Sequence, residues 1–150
     1  MFAVLRLRGE VNLRPEIKAT LGMLRINKIN HCAVVKENEH YRGMIQKVKD
    51  YVAWGRIDDE ALAMLLQRRG RLSGNRRLSD QVIMDKGYTS ANDMAKAISS
   101  GSTNFKELGI KPIFRLHPAR KGLTSTKKTA QQGGDLGFRD DIGDLIKRMR

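Results

Sequence analysis

The first 57 residues alternate short apolar runs with amphipathic segments, and this alternation limits the fold more than any other feature. Residues 2–8, 31–36 and 51–56 have the length and composition of β-strands. Between them, residues 15–25 and 39–50 carry apolar side chains at the three- and four-residue intervals of an amphipathic helix. This β-α-β-α-β order lets both helices pack on one face of a small sheet. The sequence therefore predicts an α+β fold.

The strand patterns also predict how the sheet is covered. In the first strand, Phe2 and Val4 alternate with Ala3 and Leu5. Such alternation predicts one buried face and one face that is at least partly wet. In the third strand, Gly55 either weakens the pattern or marks a bulge.

Beyond residue 57 the signals are mostly helical. Asp58 and Asp59 precede an apolar periodic run that ends among arginines, which complements the helix macrodipole. Residues 79–86 predict a short helix, and Ser90 followed by Asp93 predicts the capped start of another.

The last third of the chain combines a strand, a loop and a helix. Residues 113–117 predict a fourth strand, and residues 117–139 have no apolar period and predict a long exposed loop. A terminal helix follows, with acidic residues at its start and Lys147, Arg148 and Arg150 at its end. We expect residues 1–57 to form a core, and residues 58–150 a largely helical extension that packs on the core as one compact unit.

The net charge points to the kind of partner. The chain carries 29 basic and 16 acidic residues, a formal net charge of +13. Residues 1–75 have a net charge of +6 and residues 76–150 a net charge of +7, so the charge is spread over the whole chain. A charge of this size is usually neutralised by a polyanion, and its even spread suits a small protein embedded in a large nucleic acid.

Two segments concentrate this positive charge. Residues 68–77 place five arginines around two glycines, and the 117–139 loop holds five cations against the single carboxylate of Asp135. The cations are Arg68, Arg69, Arg71, Arg76 and Arg77 in the first segment, and Arg120, Lys121, Lys127, Lys128 and Arg139 in the second. Arginine pairs with phosphate and stacks on bases, and a long loop of this kind suits a segment that is ordered only when it lies on RNA. Because aromatic residues make up only 5% of the chain, we expect phosphate and shape contacts rather than sequence-specific reading of single strands.

Catalytic and metal-binding patterns are missing from the sequence. His31, His40 and His117 lack the spacing of zinc ligands, and Cys32 adds no cluster. Paired acidic residues stand at predicted helix starts, and no glycine-rich phosphate motif follows a strand. We therefore expect no enzyme activity, no cofactor, no metal and no small-molecule substrate.

The sequence also indicates the compartment. The lone Cys32 allows no disulfide within the chain, which fits a reducing environment. Its place in a predicted strand indicates a small buried apolar side chain. No apolar run approaches the roughly 20 residues of a membrane span. Arg6 and Arg8 interrupt the apolar start where a signal peptide would have none. We expect a cytoplasmic protein without a membrane partner.

Four short blocks carry a family resemblance. RPE at 14–16, LRINKIN at 24–30, VVKE at 34–37 and RGMIQKV at 42–48 follow one another in a fixed order. This series resembles the large-subunit ribosomal protein family numbered thirty. The short bacterial form would match only about residues 1–57. The later segments HPARKG and GGDLGFRDD and the terminal helix resemble the long archaeal form, which is related to the eukaryotic protein called seven-e.

The resemblance implies a fold, a role and a set of contacts. The fold is a mostly antiparallel sheet, ferredoxin-like in character, with two helices on one face and a helical extension. The role is structural: the protein binds large-subunit ribosomal RNA beside neighbouring ribosomal proteins, and contact with 5S RNA stays open. The RNA-binding residues that it implies are Arg25, Asn27, Lys28, Asn30 and His31 between the first helix and the second strand, and Arg42 and Lys47 on the second helix. His117, at the start of the basic loop, is a further candidate RNA contact. The alternative from the residues alone is a free-standing regulatory protein that binds DNA or RNA.

Overall fold

The central sheet contains five strands in the order β4-β2-β1-β3-β5 in a computed structural model that describes residues 1–149. The strands are β1 (Phe2–Arg6), β2 (His31–Val35), β3 (Val52–Arg56), β4 (Ile113–Arg115) and β5 (Gly137–Phe138). The pairs β1–β2, β1–β3 and β2–β4 are antiparallel, and only β3–β5 is parallel. The prediction of an α+β fold with a mostly antiparallel sheet is confirmed.

Six helices surround this sheet in the described part of the chain. They are α1 (Pro15–Met23), α2 (Glu39–Val48), α3 (Asp59–Arg69), α4 (Asp80–Asp85), α5 (Ala91–Ser99) and α6 (Ile142–Arg148). The sequence signals for the helix starts act as expected. The Oδ1 atom of Asn38 accepts a hydrogen bond from the backbone N–H of Tyr41 at 2.9 Å, and Ser90 caps α5 through the N–H of Asp93. Arg150, which we expected at the end of the last helix, lies outside the described residues.

The prediction of a partly wet face on β1 is wrong, because all five residues of the strand are buried. Phe2 and Val4 pack in the layer under α1 and α2. Ala3 and Leu5 pack in a second core with residues of α3, α5 and α6. The alternation in the sequence assigns the faces correctly, but helices of the extension cover the face that the first 57 residues leave open. The division of the chain at residue 57 stays a prediction.

The prediction of one long exposed loop over residues 117–139 is also wrong in its last part. A 3-10 helix spans Ala130–Gln132, and β5 then pairs with β3. Asp135 and Leu136 are each only 2% exposed. A short strand with one parallel partner leaves no periodic signal in the sequence, because its position depends entirely on contacts with distant residues.

Gly55 lies in a regular part of the sheet and does not mark a bulge. It is paired opposite Ala3, and its neighbours on β3 keep the same register. The carbonyl oxygen of Arg139 lies where a Cβ atom on Gly55 would be, and the side chain of Ile142 would be 3.1 Å from that atom. The absence of a side chain therefore lets the segment that enters α6 pack directly against β3.

Candidate nucleic-acid interface

The connection from α1 to β2, residues 24–30, is held in place by a buried arginine. Arg6 is 1% exposed, and its Nη1 atom donates hydrogen bonds to the carbonyl oxygens of Ile26 (3.1 Å) and Asn27. The backbone N–H of Asn30 donates in turn to the carbonyl oxygen of Arg6 at 2.8 Å. Arg25 and Asn30 both have positive φ angles, 60° and 64°. The connection is thus a sharply turned segment, fixed to the end of β1.

This anchoring turns the predicted binding residues of the connection outward. The side chains of Arg25, Asn27 and Lys28 are exposed, and Asn30 and His31 are half-buried. Within residues 1–149, neither Arg25 nor Lys28 has a carboxylate within ion-pair distance. Their charges are therefore available to an external anion.

His31 reports the electrostatic environment at this end of the sheet. It is paired opposite Arg115 of β4. Burial lowers the pKa of His31 below its usual value, and the charges of Arg115, Lys28 and Arg6 lower it further. Positive charges disfavour a protonated imidazole, so Arg115, Lys28 and Arg6 add to a shift that comes first from burial of the ring.

Three backbone contacts extend this cationic region into the C-terminal part of the chain. The N–H of Leu116 donates to the carbonyl of Asn30 at 2.9 Å, and the N–H of His117 to that of Met149, also at 2.9 Å. The N–H of Arg120 donates to the carbonyl of Arg148 at 3.0 Å. We call the resulting surface the basic margin; its cations and histidines are Lys28, His31, Arg115, His117, Arg120, Lys121, Lys147 and Arg148.

The far part of the basic margin is concave. Met64 forms the apolar part of a depression of about 560 Å³, and Arg120, Lys121, Lys147 and Arg148 supply its charges. The guanidinium of Arg148 donates to the carbonyl oxygens of Arg120 and Gly122, which fixes α6 against the 117–122 segment. Four cations around a depression are suited to the phosphates of a nucleic acid.

The sequence prediction omitted four residues of this region. Arg115, Lys147 and Arg148 lie in the basic margin, and Arg6 positions the connection beside it. Lys147 and Arg148 occur at a helix end, where the macrodipole alone explains them. The signal for Arg6 was a charged residue inside an otherwise apolar strand, since a buried charge needs specific partners.

The predicted arginine cluster at 68–77 forms a separate basic surface. The segment folds back on itself, because the N–H of Leu72 donates to the carbonyl of Arg76 at 2.9 Å and that of Leu78 to Gly70 at 3.0 Å. Arg68, Arg76 and Arg77 are exposed, whereas Arg69 and Arg71 are half-buried. The guanidinium of Arg71 donates to the carbonyl of Asn75 at 3.2 Å. The exposed arginines stay candidates, and Arg71 also has a structural task.

The two candidates on α2 are placed differently. Arg42 is exposed in the first half of α2, next to Tyr41, which lines one groove with Met23, Leu24 and Arg25. Lys47 forms an ion pair with Glu16 of α1 at 3.5 Å. The structure therefore places Arg42 near the start of the α1–β2 connection, whereas Lys47 lies at the other end of α2, beside the start of α1.

Arg139, a predicted RNA contact, is engaged in ion pairs within the protein. Its guanidinium pairs with Asp135 at 2.8 Å and with Asp141 at 2.7 Å, and its side chain is only 13% exposed. The hydrogen bond from Arg139 holds the pKa of Asp141 below its usual value. Arg139 therefore fixes the path from β5 to α6 and is not free for phosphate, while Lys127 and Lys128 of the same loop are exposed.

Comparisons with known proteins identify the family. A model of the family described as ribosomal protein L30p/L7e matches residues 2–52. The large ribosomal subunit protein uL30 of Methanothrix thermoacetophila is 56% identical over 151 aligned residues that cover all of both chains. This chain belongs to the L30p/L7e family. The uL30 proteins of Methanocella arvoryzae and Archaeoglobus fulgidus are 50% and 48% identical, again over the full length of both chains.

Membership of the L30p/L7e family confirms the predicted family in its long form, since these relatives align with the extension as well as the core. The family is one of ribosomal proteins and not of enzymes. The matched segment contains the α1–β2 connection and α2, whereas most of the basic margin lies after it. Within residues 1–149, no helix is long and apolar enough to cross a membrane.

Proposed function

We propose that this chain is a structural constituent of the large ribosomal subunit in the cytoplasm, where its basic margin binds the phosphates of folded ribosomal RNA. The observation that carries the proposal is the convergence of both halves of the sequence on this surface. Lys28 and His31 come from the core, and Arg115, Arg120 and Arg148 come from the last third of the chain. A surface assembled from distant segments has a fixed shape, which suits a folded RNA.

The electrostatics support phosphate contacts rather than base reading along the sheet. The side chains of β1 are buried on both faces, so this strand offers no platform for stacked bases. Lys147 of the margin has one carboxylate partner, Asp144 at 3.5 Å. Within residues 1–149, no carboxylate lies within ion-pair distance of the margin's other lysines and arginines, Lys28, Arg115, Arg120, Lys121 and Arg148. Such cations bind phosphate by releasing counterions from the RNA. The exposed arginines of residues 68–77 and the lysine pair at 127–128 supply further phosphate contacts on other sides of the protein.

The test uses a double variant of the margin with a matched control. Lys28→Glu with Arg120→Glu reverses two charges of the basic margin. Lys18→Glu with Lys96→Glu makes the same change in net charge on exposed lysines outside it. Binding of large-subunit RNA should weaken in the margin variant, and the slope of log affinity against log salt should fall by about 1.5. The control should stay close to the unmodified chain.

Sedimentation with ribosomal subunits completes the test. The unmodified chain should stay with the large subunit through a moderate salt wash, and the margin variant should be released at lower salt. Cross-links from the same particles would report neighbouring ribosomal proteins, and also whether 5S RNA is within reach. A chain that sediments free of the subunit, or that prefers unrelated RNA, would overturn the proposal.

A further inference from the structure

A groove of about 540 Å³ lies beside β2, away from the basic margin. One wall comes from the end of α1 and from Tyr41 of α2, and the other from residues 104–113. β4 pairs with β2 only as far as Ala33, and the N–H of Val34 then donates to the carbonyl of Pro112 at 3.0 Å. The groove follows β2 where its regular pairing ends, and its volume lies in the range of about 300–1,000 Å³ that is usual for small-molecule sites.

The charged side chains that line the groove are all positive. Arg25, Lys36, Lys106 and Lys111 belong to its lining and are exposed, and its lining contains no aspartate or glutamate. Two carboxylates directly follow lining lysines in the sequence. Glu37 pairs with Arg56 at 2.8 Å, and Glu107 accepts hydrogen bonds from the backbone and side-chain nitrogens of Asn104, each at 3.1 Å. Four cations without a lining carboxylate favour a negatively charged occupant.

The apolar part of the groove indicates which kind of negatively charged group fits there. Met23 is 59% exposed at the end of α1, and the ring of Tyr41 is half-buried beside it. A phosphate alone makes no use of an apolar wall, because it is satisfied by cations and N–H donors. A nucleobase has an apolar π-face that packs on thioether and aromatic groups, and its own phosphates lie within reach of cations at the rim.

We propose that this groove takes up a single unpaired nucleotide of the ribosomal RNA, with its base against Met23 and Tyr41 and its phosphates at the four cations. The inference rests on the proposed function and adds a base-binding site to an interface that otherwise contacts phosphates. Continuity favours RNA over an acidic protein segment. Arg25 belongs to the same exposed connection as Lys28 of the basic margin, so one RNA can follow both surfaces.

Site-specific photo-cross-linking tests the inference in assembled subunits. Met23 is replaced by the photoreactive amino acid p-benzoylphenylalanine, and Met84, 63% exposed on α4, receives the same replacement as control. Irradiation of the particles should join position 23 to one unpaired nucleotide, which reverse transcription maps as a single strong stop. Position 84 should give no stop at that nucleotide.

A charge variant provides the second measurement. Lys36→Glu with Lys111→Glu should expose the base of that nucleotide to chemical modification, whereas Lys18→Glu with Lys96→Glu should leave it protected. Thermal unfolding confirms that each variant is folded. A cross-link from position 23 to protein, or the absence of any RNA stop, would overturn the inference while the chain still sediments with the large subunit. Failure of the unmodified chain to join the subunit would overturn the proposed function itself.

Discussion

Replacing the buried Arg6 by methionine tests how the RNA-facing connection is held. The substitution keeps the unbranched stem of the side chain without its guanidinium end, and it removes the hydrogen bonds to the carbonyls of Ile26 (3.1 Å), Asn27 and Arg8 (2.9 Å). It also removes an ion pair of 3.5 Å with the exposed side chain of Glu10. A hydrogen bond from a charged donor contributes about 1.5–3 kcal/mol when its loss leaves the acceptor without a partner, and less when water can take the donor's place. Only the bond to Ile26 is fully buried, so the gross loss is about 3–5 kcal/mol.

Part of that loss is offset in the same variant. The Nη2 atom of Arg6 is buried and has no hydrogen-bond partner among residues 1–149, and burying a charged group that is not fully paired is costly. Methionine removes this penalty, which restores about 1–3 kcal/mol. The expected net loss in the free energy of unfolding is therefore about 2 kcal/mol.

Urea denaturation measures the loss, and hydrogen exchange locates it. Amide protons of residues 24–30 should exchange faster in Arg6→Met, while those of α5 change only through global stability. Arg8→Met is the matched control, because the Arg8 guanidinium lies 5.1 Å from the ring centroid of Tyr51 and bonds one exposed carbonyl. It should cost less than about 1 kcal/mol. An Arg6→Met protein of unchanged stability with normal exchange in residues 24–30 would refute this explanation of the connection.

Three further predictions concern single positions. Gly55→Ala should lower the free energy of unfolding by about 1–3 kcal/mol in urea denaturation, because a Cβ atom at position 55 overlaps the carbonyl of Arg139. Gly43→Ala is the control and should not destabilise α2, because no atom lies within 4 Å of a Cβ at position 43. Equal losses in the two variants would contradict the packing of residues 139–142 against Gly55. Cys32 is buried with its pKa raised to about 12, so a thiol reagent at pH 8 should modify it only in denaturant, and rapid labelling of the folded chain would contradict its burial. The pKa of His31 is lowered in the folded chain, so the unfolded state binds more protons and the stability from this group is lost as pH falls below about 6.5. NMR titration should show the low pKa and its rise when RNA is added, and a pKa above 6.5 without RNA would contradict the surplus of positive charge.

Local signals explain why so much of the core could be predicted from the sequence. Asn38 and Ser90 cap their helices through contacts three residues along the chain, and such contacts are visible in any sequence. The alternation of Phe2 and Val4 with Ala3 assigned the two faces of β1 for the same reason. The burial of the second face depends on helices that start more than 50 residues later, which no short pattern contains.

In the candidate site, too, residues close together in the sequence could be predicted, and residues brought there by distant contacts could not. Lys28 and His31 could be found because they are crowded into one connection of the chain. Arg115 and Arg148 reach the same surface only through the contacts of Leu116 with Asn30 and of Arg120 with Arg148, which are not local in sequence. The sequence does not reveal that Arg139 is engaged within the protein, because its pairing with Asp135 and Asp141 depends on how the chain folds around β5.

The covered sheet decides where an RNA can be bound. Since β1 is buried on both faces, the centre of the sheet offers no surface to RNA, and binding uses strand ends, sheet margins and exposed loops. The surface at the strand ends and sheet margins consists of the segments that connect strands and helices. Such a segment keeps a fixed shape when buried groups hold it, as Arg6 holds residues 24–30 through hydrogen bonds to the carbonyls of Ile26 and Asn27. The extension therefore has two linked effects. It buries the second face of the sheet, and by bringing Arg115 to His31 and Lys28 it concentrates binding charges on the surface that burial leaves available.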